Sequence, residues 1–555
     1  PLSLSLSHSS LFLGSEKVGR KGKGRSREEM ISTLYSLSCS FPVVFSSQLF
    51  TLLYSLPQLV NWLTVSLLLL FLLFSSQCTR HSLPPGPIPI PLLGNMLQLA
   101  TGSFDERMQM WRKKYGEVFT VWIGPIPLVM VCSLNMMKRF FVERADMFSN
   151  RWRNHVTDTF MGGEYGVVQI DGEKWREQRR FALTTMRDLG VGRPAIEEAI
   201  IQETSSLISF LSSSSSLLSI GTPVAVCVGN VINRILFGKT FRQGSPEMDA
   251  LHSLLDAQSQ LVVHPLMGLY IALPFTTHIP FINRPWKQLI RQRDILWSVV
   301  STQVQEHKEA FARGDYEPDV TFRYLEEMRR REEEGEDMGY FSEWQLTMLL
   351  LDLLFAGMET TVTTLKWAFL LIAMHPEVQS QVQSELDSID SKEIRLQDRR
   401  HLPYTLATIC EVQRIANILP INLLRTCPTT VQEGDWLFPP NTLVIPQISI
   451  LLSDPSVFPS PSSFIPSRFL DSSGLKKIPE FIPFSIGKRQ CLGESLARAE
   501  LFLILTNVLK RVRLEPGEGL SRERHLGLTV SPKEYTVGVS RRGDDNHLSR
   551  GSFNG

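Results

Sequence analysis

The longest apolar pattern in the chain is SEWQLTMLLLDLLFAGMETTVTTLKWAFLLIAMHP, residues 342–376, in which no clear polar face recurs. A helix without a polar face belongs in the core of a large protein. Ser342 with Gln345 has the spacing of a capping box and His375-Pro376 marks the stop. The pattern therefore predicts a single helix about 50 Å long at 1.5 Å per residue. Helical periodicity dominates from Ile196 to Asp390, interrupted by serines at 212–216 and by RRREEEGED (329–337), which reads as a charged loop. Upstream, EVFTVWIGPIPLVMVCS (117–133) alternates and turns on Gly-Pro, the pattern of a β-hairpin. Between Arg425 and Phe481 proline and serine are dense, with short strands such as TLVIP (442–446). No internal repeat is present, and GGEYG (162–166) lacks the flanking strand and helix of a dinucleotide loop. The pattern predicts one large, mainly α domain with small β-sheets over residues 96–540, followed by a polar tail at 541–555.

A different apolar pattern lies near the N-terminus. From Met30 to Thr79 there is no Asp, Glu, Lys or Arg, and 49–74 alone is long enough to cross a bilayer, which needs ~20 apolar residues. We read 30–79 as an uncleaved membrane anchor of one or two passes. A cleaved signal peptide is the alternative, but no clear small-residue cleavage site follows. Residues 1–29, rich in serine, lysine and arginine, read as a non-native segment upstream of Met30, the first methionine. Counted from Met30, the first basic residues after the anchor are Arg80 and His81, and the positive-inside rule places the body of the protein in the cytosol. The six Lys and Arg of 1–29 would pull the other way. Next comes LPPGPIPIPLLGN (83–95), whose five prolines make a stiff extended hinge over 80–95 or an ordinary interdomain linker.

Composition narrows the function. A formal charge of +1, from 57 basic and 56 acidic residues, gives no reason to expect nucleic acid as a partner. The seven cysteines show no CxxC and no Cys/His finger, which argues against zinc or a disulfide scaffold. Cys491 alone has a distinctive setting, in FIPFSIGKRQCLGESLARAELF (481–502), between glycines, behind Lys488 and Arg489 and ahead of an apolar helix. Such surroundings favour a thiolate, although a small buried hydrophobe is the plainer alternative.

Three further stretches carry candidate chemistry. In KWREQRR (174–180), Trp175 and Arg179 share one helical face and Arg176 and Arg180 another, which fits anion binding but also a solvated basic helix. In AGMETT (356–361), Leu353, Ala356, Gly357 and Thr360 share a face with room for a flat group. There Glu359 sets an acid beside the Thr360 hydroxyl, a candidate proton path. A small-residue helix crossing with a satisfied threonine explains the same residues. Glu411 and Arg414 in CEVQR have the spacing of an ion pair that, taken alone, reads as a surface pair.

Together these residues resemble the cytochrome P450 haem-thiolate monooxygenases. The pattern F-x-x-G-x-R-x-C-x-G is met by Phe484, Gly487, Arg489, Cys491 and Gly493, and the central-helix motif by AGMETT. The E-x-x-R pair is met by Glu411 and Arg414, the W-x-x-x-R pair by Trp175 and Arg179, and the arginine-bearing meander by FIPSRF (464–469). The resemblance spans roughly 83–540 and is nearest to microsomal family 2 and its fatty-acid epoxygenase-like branch. Leu424 ahead of Arg425 and Cys410 ahead of Glu411 depart from the histidines frequent in that family.

The resemblance implies haem b with Cys491 as axial thiolate on the iron. Trp175, Arg179, Arg425, Arg489 and Arg151 would hold the propionates, with Gly487 and Gly493 letting backbone amides approach the sulfur. Glu411, Arg414 and Arg468 would form a buried structural network. Thr360, with Glu359 nearby, would steer protons to the oxygen being activated. The substrate pocket would include Phe160, Asp352, Phe355, Ala356, Ile418 and Val530. Arg176, Arg180, Lys476, Lys477 and Lys488 would face an acidic NADPH-dependent reductase, with cytochrome b5 as a second partner. The implied enzyme sits in the endoplasmic reticulum membrane with its catalytic domain on the cytosolic side. It inserts one atom of O2 into a lipophilic substrate such as arachidonate, a steroid or a xenobiotic. Two competing functions are a haem-thiolate isomerase or dehydratase of lipid peroxides, whose relatives lose the acid–threonine pair present here, and a haem sensor without turnover.

Overall fold

The computed structural model describes residues 82–542, apart from 91–92, 101–103, 214–216 and 316. The anchor reading for 30–79, the segment 1–29, most of the serine run and the tail from 543 lie outside the described residues. Contacts divide the chain into Pro1–Cys78 and Thr79–Gly555, and everything described belongs to the second unit.

The predicted hairpin is present. β1 (Val118–Ile123) and β2 (Ile126–Val131) pair antiparallel with Val118 opposite Val131, and Gly124 makes the turn at φ +60. β3 (Asn150–Arg151), β4 (Arg425–Thr426) and β5 (Leu443–Pro446) complete a five-stranded sheet in the order β1-β2-β5-β4-β3. The β2–β5 pairing is parallel, whereas β4 is antiparallel to both its neighbours. Its register sets Arg151 directly opposite Arg425. The proline arm is part of this body, since Thr120 of β1 donates its hydroxyl to Pro84 and its amide to Pro85.

Helices make up most of the rest. Among them are α1 (Gly172–Asp188), α2 (Pro194–Ser213), α3 (Gly221–Phe237), α4 (Arg284–Arg313), α5 (Val320–Glu334), α6 (Glu343–Met374), α7 (Pro403–Ala416) and α8 (Glu494–Arg511). α6 is the expected central helix, capped by the Ser342 hydroxyl on the Gln345 amide at 3.2 Å. The second half of the expected box is absent, because the Gln345 side chain bonds Gly166 through both its carbonyl and its amide. α6 is apolar and long enough to span a membrane, but most of it is enclosed by protein and it anchors the main core with Leu346, Leu350, Val362 and Phe369.

Most of the charged segment 329–337 is helix, and only Gly335 to Asp337 is loop. α5 runs on to Glu334 and ends on Gly335 at φ +65. The charges themselves sustain it: Arg330 and Arg331 both reach Glu327, Arg330 pairs with Glu334, and Arg329 lies 3.6 Å from Glu333. Alternating signs at three- and four-residue spacing stabilise a helix by a few tenths of a kcal/mol per pair.

Candidate active site

The Cys491 segment is shaped by one tight contact. Gly487 stands at φ +79, and a Cβ there would lie 1.8 Å from the Phe141 carbonyl oxygen, so no other residue fits without moving the backbone. From that turn the Gln490 amide reaches Gly487 and the Cys491 amide reaches the Phe484 carbonyl at 3.0 Å. Cys491 sits three residues before α8 and is solvent-accessible, whereas Cys132, Cys227 and Cys427 are buried. Burial by surrounding protein raises its thiol pKa, and the Gly493 amide opposes that, as do Arg179 and Arg498 at longer range. The two basic residues ahead of it in sequence do not face it. Lys488 pairs with Asp146 on the surface, and Arg489 turns inward.

Arg489 joins a buried cluster of cations. Its guanidinium donates to the carbonyls of Ser149 and Ile170 and to Asp171 at 2.7 Å. Arg151 donates to the carbonyls of Val168 and Leu423, and Arg425 to the Ser485 hydroxyl and the Ile486 carbonyl. Two guanidiniums approach the Trp175 ring, Arg489 at 4.0 Å and Arg179 at 5.7 Å, while Arg179 also donates to the Gln490 carbonyl. Burial, followed by the charge of Arg151, pulls the Arg489 pKa down to about 8, and burial lowers Arg151 to about 10. Burial and Arg151 likewise hold Arg425 well below the ordinary arginine range. Among the described residues three buried donors of this cluster are without a partner: Trp175 Nε1, Arg425 Nε and Arg489 Nη1. A cluster with this charge excess and these free donors suits an anion of more than one negative charge.

α6 contributes an accessible stripe within an otherwise buried helix. Asp352, Phe355, Ala356, Gly357 and Thr360 retain accessibility, while Leu353, expected on that face, is buried. Gly357 has another task. A Cβ there would stand 3.0 Å from the Ile232 side chain of α3, so glycine permits a close helix crossing. The Thr360 hydroxyl donates to the Ala356 carbonyl at 2.7 Å. Glu359 points elsewhere: it is buried, accepts from the Thr529 hydroxyl at 2.8 Å and has its other oxygen unpartnered. Burial raises its pKa. Asp352 accepts from the amides of Val167 (2.7 Å) and Val168 (2.9 Å), and burial raises its pKa to about 6.

These features are those of a known family. A profile of the cytochrome P450 family matches residues 84–539. The chain is 36% identical over 479 residues to cytochrome P450 2B4 of Oryctolagus cuniculus, an alignment covering 84% of this chain and 96% of that protein. Cytochrome P450 2A5 of Mus musculus is 33% identical over 489 residues (86% and 97%), and cytochrome P450 2B2 of Rattus norvegicus 35% over 491 (85% and 97%).

The chain belongs to the cytochrome P450 family.

It is a monooxygenase with haem b as cofactor, and its residues fit that group. Haem b presents two carboxylates, which match the cationic cluster and its free donors, and an iron, which matches an accessible thiol. A metal also removes the obstacle that burial sets to thiolate formation, since a coordinating thiol is deprotonated outright.

The E-x-x-R residues are far from being a surface pair. Glu411 and Arg414 are buried and joined by two bonds of 2.7 and 2.8 Å. Arg468 adds a third at 3.0 Å, and the remaining donors of Arg414 and Arg468 go to the carbonyls of Leu452, Pro459, Ser460 and Ser463. The proposed pocket residues come from four places: Phe160 just before the end of the helix His155–Met161, the α6 stripe, and two loops joined by the Val530 amide on the Ile418 carbonyl. Ile418 is partly accessible and Val530 buried.

Sequence reasoning missed Glu500. It lies on α8, fully enclosed, with one oxygen 3.4 Å from the Thr361 hydroxyl and the other unpartnered. Burial raises its pKa to about 8, so it is mostly protonated at neutral pH. Nothing in ARAELF marks this glutamate as buried except its place in an apolar run.

Proposed function

We propose a membrane-bound monooxygenase that oxidises a lipophilic substrate with electrons passed from NADPH by a reductase. The observation that carries this reading is the conjunction of Cys491 with the buried arginine cluster and its unpartnered donors. Cys491 would supply the thiolate to the iron, and Arg151, Arg425, Arg489, Trp175 and Arg179 would hold the propionates. Bound haem supplies the chemistry that activates O2 and transfers one of its atoms to the substrate.

The chain's own residues then do the rest. Thr360, on the accessible stripe of α6, presents a hydroxyl that can exchange its bond to the Ala356 carbonyl for one to water or oxygen, and so hand on a proton. Glu359, one residue earlier, is turned onto the Thr529 hydroxyl, and burial raises its pKa. Phe160, Phe355, Ala356 and Ile418 offer an apolar lining suited to a lipophilic substrate, fatty acid, steroid or xenobiotic. Asp352 fixes the 167–168 backbone beside that lining. The reductase face we assign is basic: Arg180, Lys476 and Lys477 have no ion-pair partner among the described residues, while Arg176 and Lys488 share Asp146. Cytochrome b5 would use the same charge complementarity. The relatives support the endoplasmic reticulum as location, and the residue order after the proposed anchor favours a cytosolic catalytic domain.

The test is reconstitution of the purified full chain with NADPH and its reductase, followed by mass spectrometry of fatty acids, steroids and drugs offered together. NADPH-dependent addition of one oxygen atom to any of them supports the reading. Rearrangement of a lipid peroxide without NADPH would favour an isomerase, and no turnover of any kind a sensor.

A further inference from the structure

Asp171 stands where a helix cap belongs and is put to another use. It is the residue ahead of α1, in the extended conformation of an N-cap, and an aspartate there ordinarily accepts from the amides of the first turn. Its side chain makes no such bond. Oδ1 instead accepts from the Arg489 guanidinium and from the Arg151 backbone amide, both at 2.7 Å. One oxygen thereby joins the Cys491 segment to β3 at the head of α1, the helix that carries Trp175 and Arg179. The helix forgoes its side-chain cap, and the arginine cluster gains a carboxylate.

That carboxylate acts first on position. Arg489 donates through Nε to the Ser149 carbonyl and through Nη2 to the Ile170 carbonyl and Asp171, which fixes the guanidinium and leaves the buried Nη1 without a partner. It acts also on charge. Arg151, Arg425 and Arg489 are all buried, and Asp171 is the one carboxylate in an ion pair with any of them among the described residues. Glu164 acts on Asp171 only at longer range and pairs with Arg153 at 2.9 Å. Arg179 is partly exposed, where solvent screens it. Three enclosed guanidiniums less one carboxylate leave two positive charges, the number that the two carboxylates of haem b neutralise. Without Asp171 the enclosed site would hold one charge too many, and an uncompensated buried charge is costly.

We propose that Asp171 is a positioning residue of the haem site: it matches the charge of the arginine cluster to the two propionates and holds Arg489 with Nη1 free for one of them. The proposal rests on the assignment of that cluster to the propionates. A negative charge near the haem favours the more positive oxidation state of its iron, so Asp171 also lowers the reduction potential.

Asp171→Asn is the deciding variant, because its Oδ1 can accept both bonds and only the charge is lost. Asp171→Ala loses charge and bonds, whereas Asp171→Glu keeps the charge. The full chain, haem-loaded, is titrated for its ferric–ferrous midpoint potential, and transfer of haem to apomyoglobin gives the release rate. The Asn variant is expected to shift the ferric–ferrous equilibrium roughly tenfold towards ferrous, about 59 mV upward for one electron. Its carbon monoxide band and its haem release should stay those of the parent. The Ala variant should show the upward shift and release haem several-fold faster, and the Glu variant should stay near the parent potential. An unmoved potential in Asn, or an equal shift in Glu, would overturn the charge match. Release from Ala at the parent rate would overturn the positioning of Arg489. Arg425→Gln tests the propionate assignment itself, with faster haem release expected. Release at the parent rate there would refute that assignment and the proposal with it. Faster release there with an unmoved potential in Asp171→Asn would overturn the proposal alone.

Discussion

Replacing Thr360 by Val removes a hydroxyl whose hydrogen goes to the Ala356 carbonyl at 2.7 Å, while keeping nearly the same shape. If Thr360 were only a satisfied core threonine, the loss would be one of stability. With Thr360 on the accessible stripe of α6, the expected outcome is different: haem binding and substrate affinity persist, NADPH oxidation continues, and product per NADPH falls as peroxide rises. Thr360→Ser should retain more coupling than Val. Measuring NADPH, peroxide and product together decides it, and unchanged coupling in a well-folded Val variant would refute the role. Glu500 makes a second prediction at this scale. Its folded pKa of about 8 lies above the 4.5 of a free glutamate, so between those values the folded state holds a proton that the unfolded chain has released. Stability must then fall as pH rises through that window and level off above about 8. Glu500→Gln should remove this slope, so its melting temperature gains on the parent as pH increases from 5 towards 8. The sequence made Cys491 and its arginine visible, because the spacing Phe484–Gly487–Arg489–Cys491–Gly493 is so specific. Lys488 does not face the thiol, since a neighbour in sequence at a tight turn need not face the same way.

At the scale of elements, the network joining α7 to the 459–468 segment rests on one carboxylate serving two arginines. Removing Glu411 as Glu411→Ala leaves both guanidiniums buried without it, which should cost about 3–5 kcal/mol. Adding Arg414→Met should recover part of that loss, because the stranded charge goes too. Chemical denaturation of the single and double variants reads the difference, and an equally unstable double variant would contradict the argument. The E-x-x-R spacing was legible, but its burial was not: the same four residues on a solvated helix would look identical in sequence. The loop reading of 329–334 failed for the opposite reason. The charge density there resembles a loop, yet the signs alternate at helical spacing and α5 simply continues. Gly357 was legible as an oddity needing a reason, and the reason is Ile232 of α3 rather than a flat ligand.

For the whole molecule, the body from Thr79 onward forms one compact unit. A chain beginning at Arg80 keeps the Pro84 and Pro85 contacts to β1 and every residue assigned to the haem. It should fold and load haem while binding membranes less strongly than the full chain. Equal release of both forms from microsomes by carbonate would refute the anchor. The account depends most on a single atom, the Cys491 sulfur, being the ligand around which the arginine cluster, the Gly487 turn and the α6 stripe are arranged. The ferrous carbon monoxide spectrum of the full chain tests this most directly. The parent should give the red-shifted Soret band of thiolate ligation. Cys491→His should lose that band while its circular dichroism keeps the helical signal. Persistence of the thiolate band in that variant would take Cys491 off the iron and contradict the account.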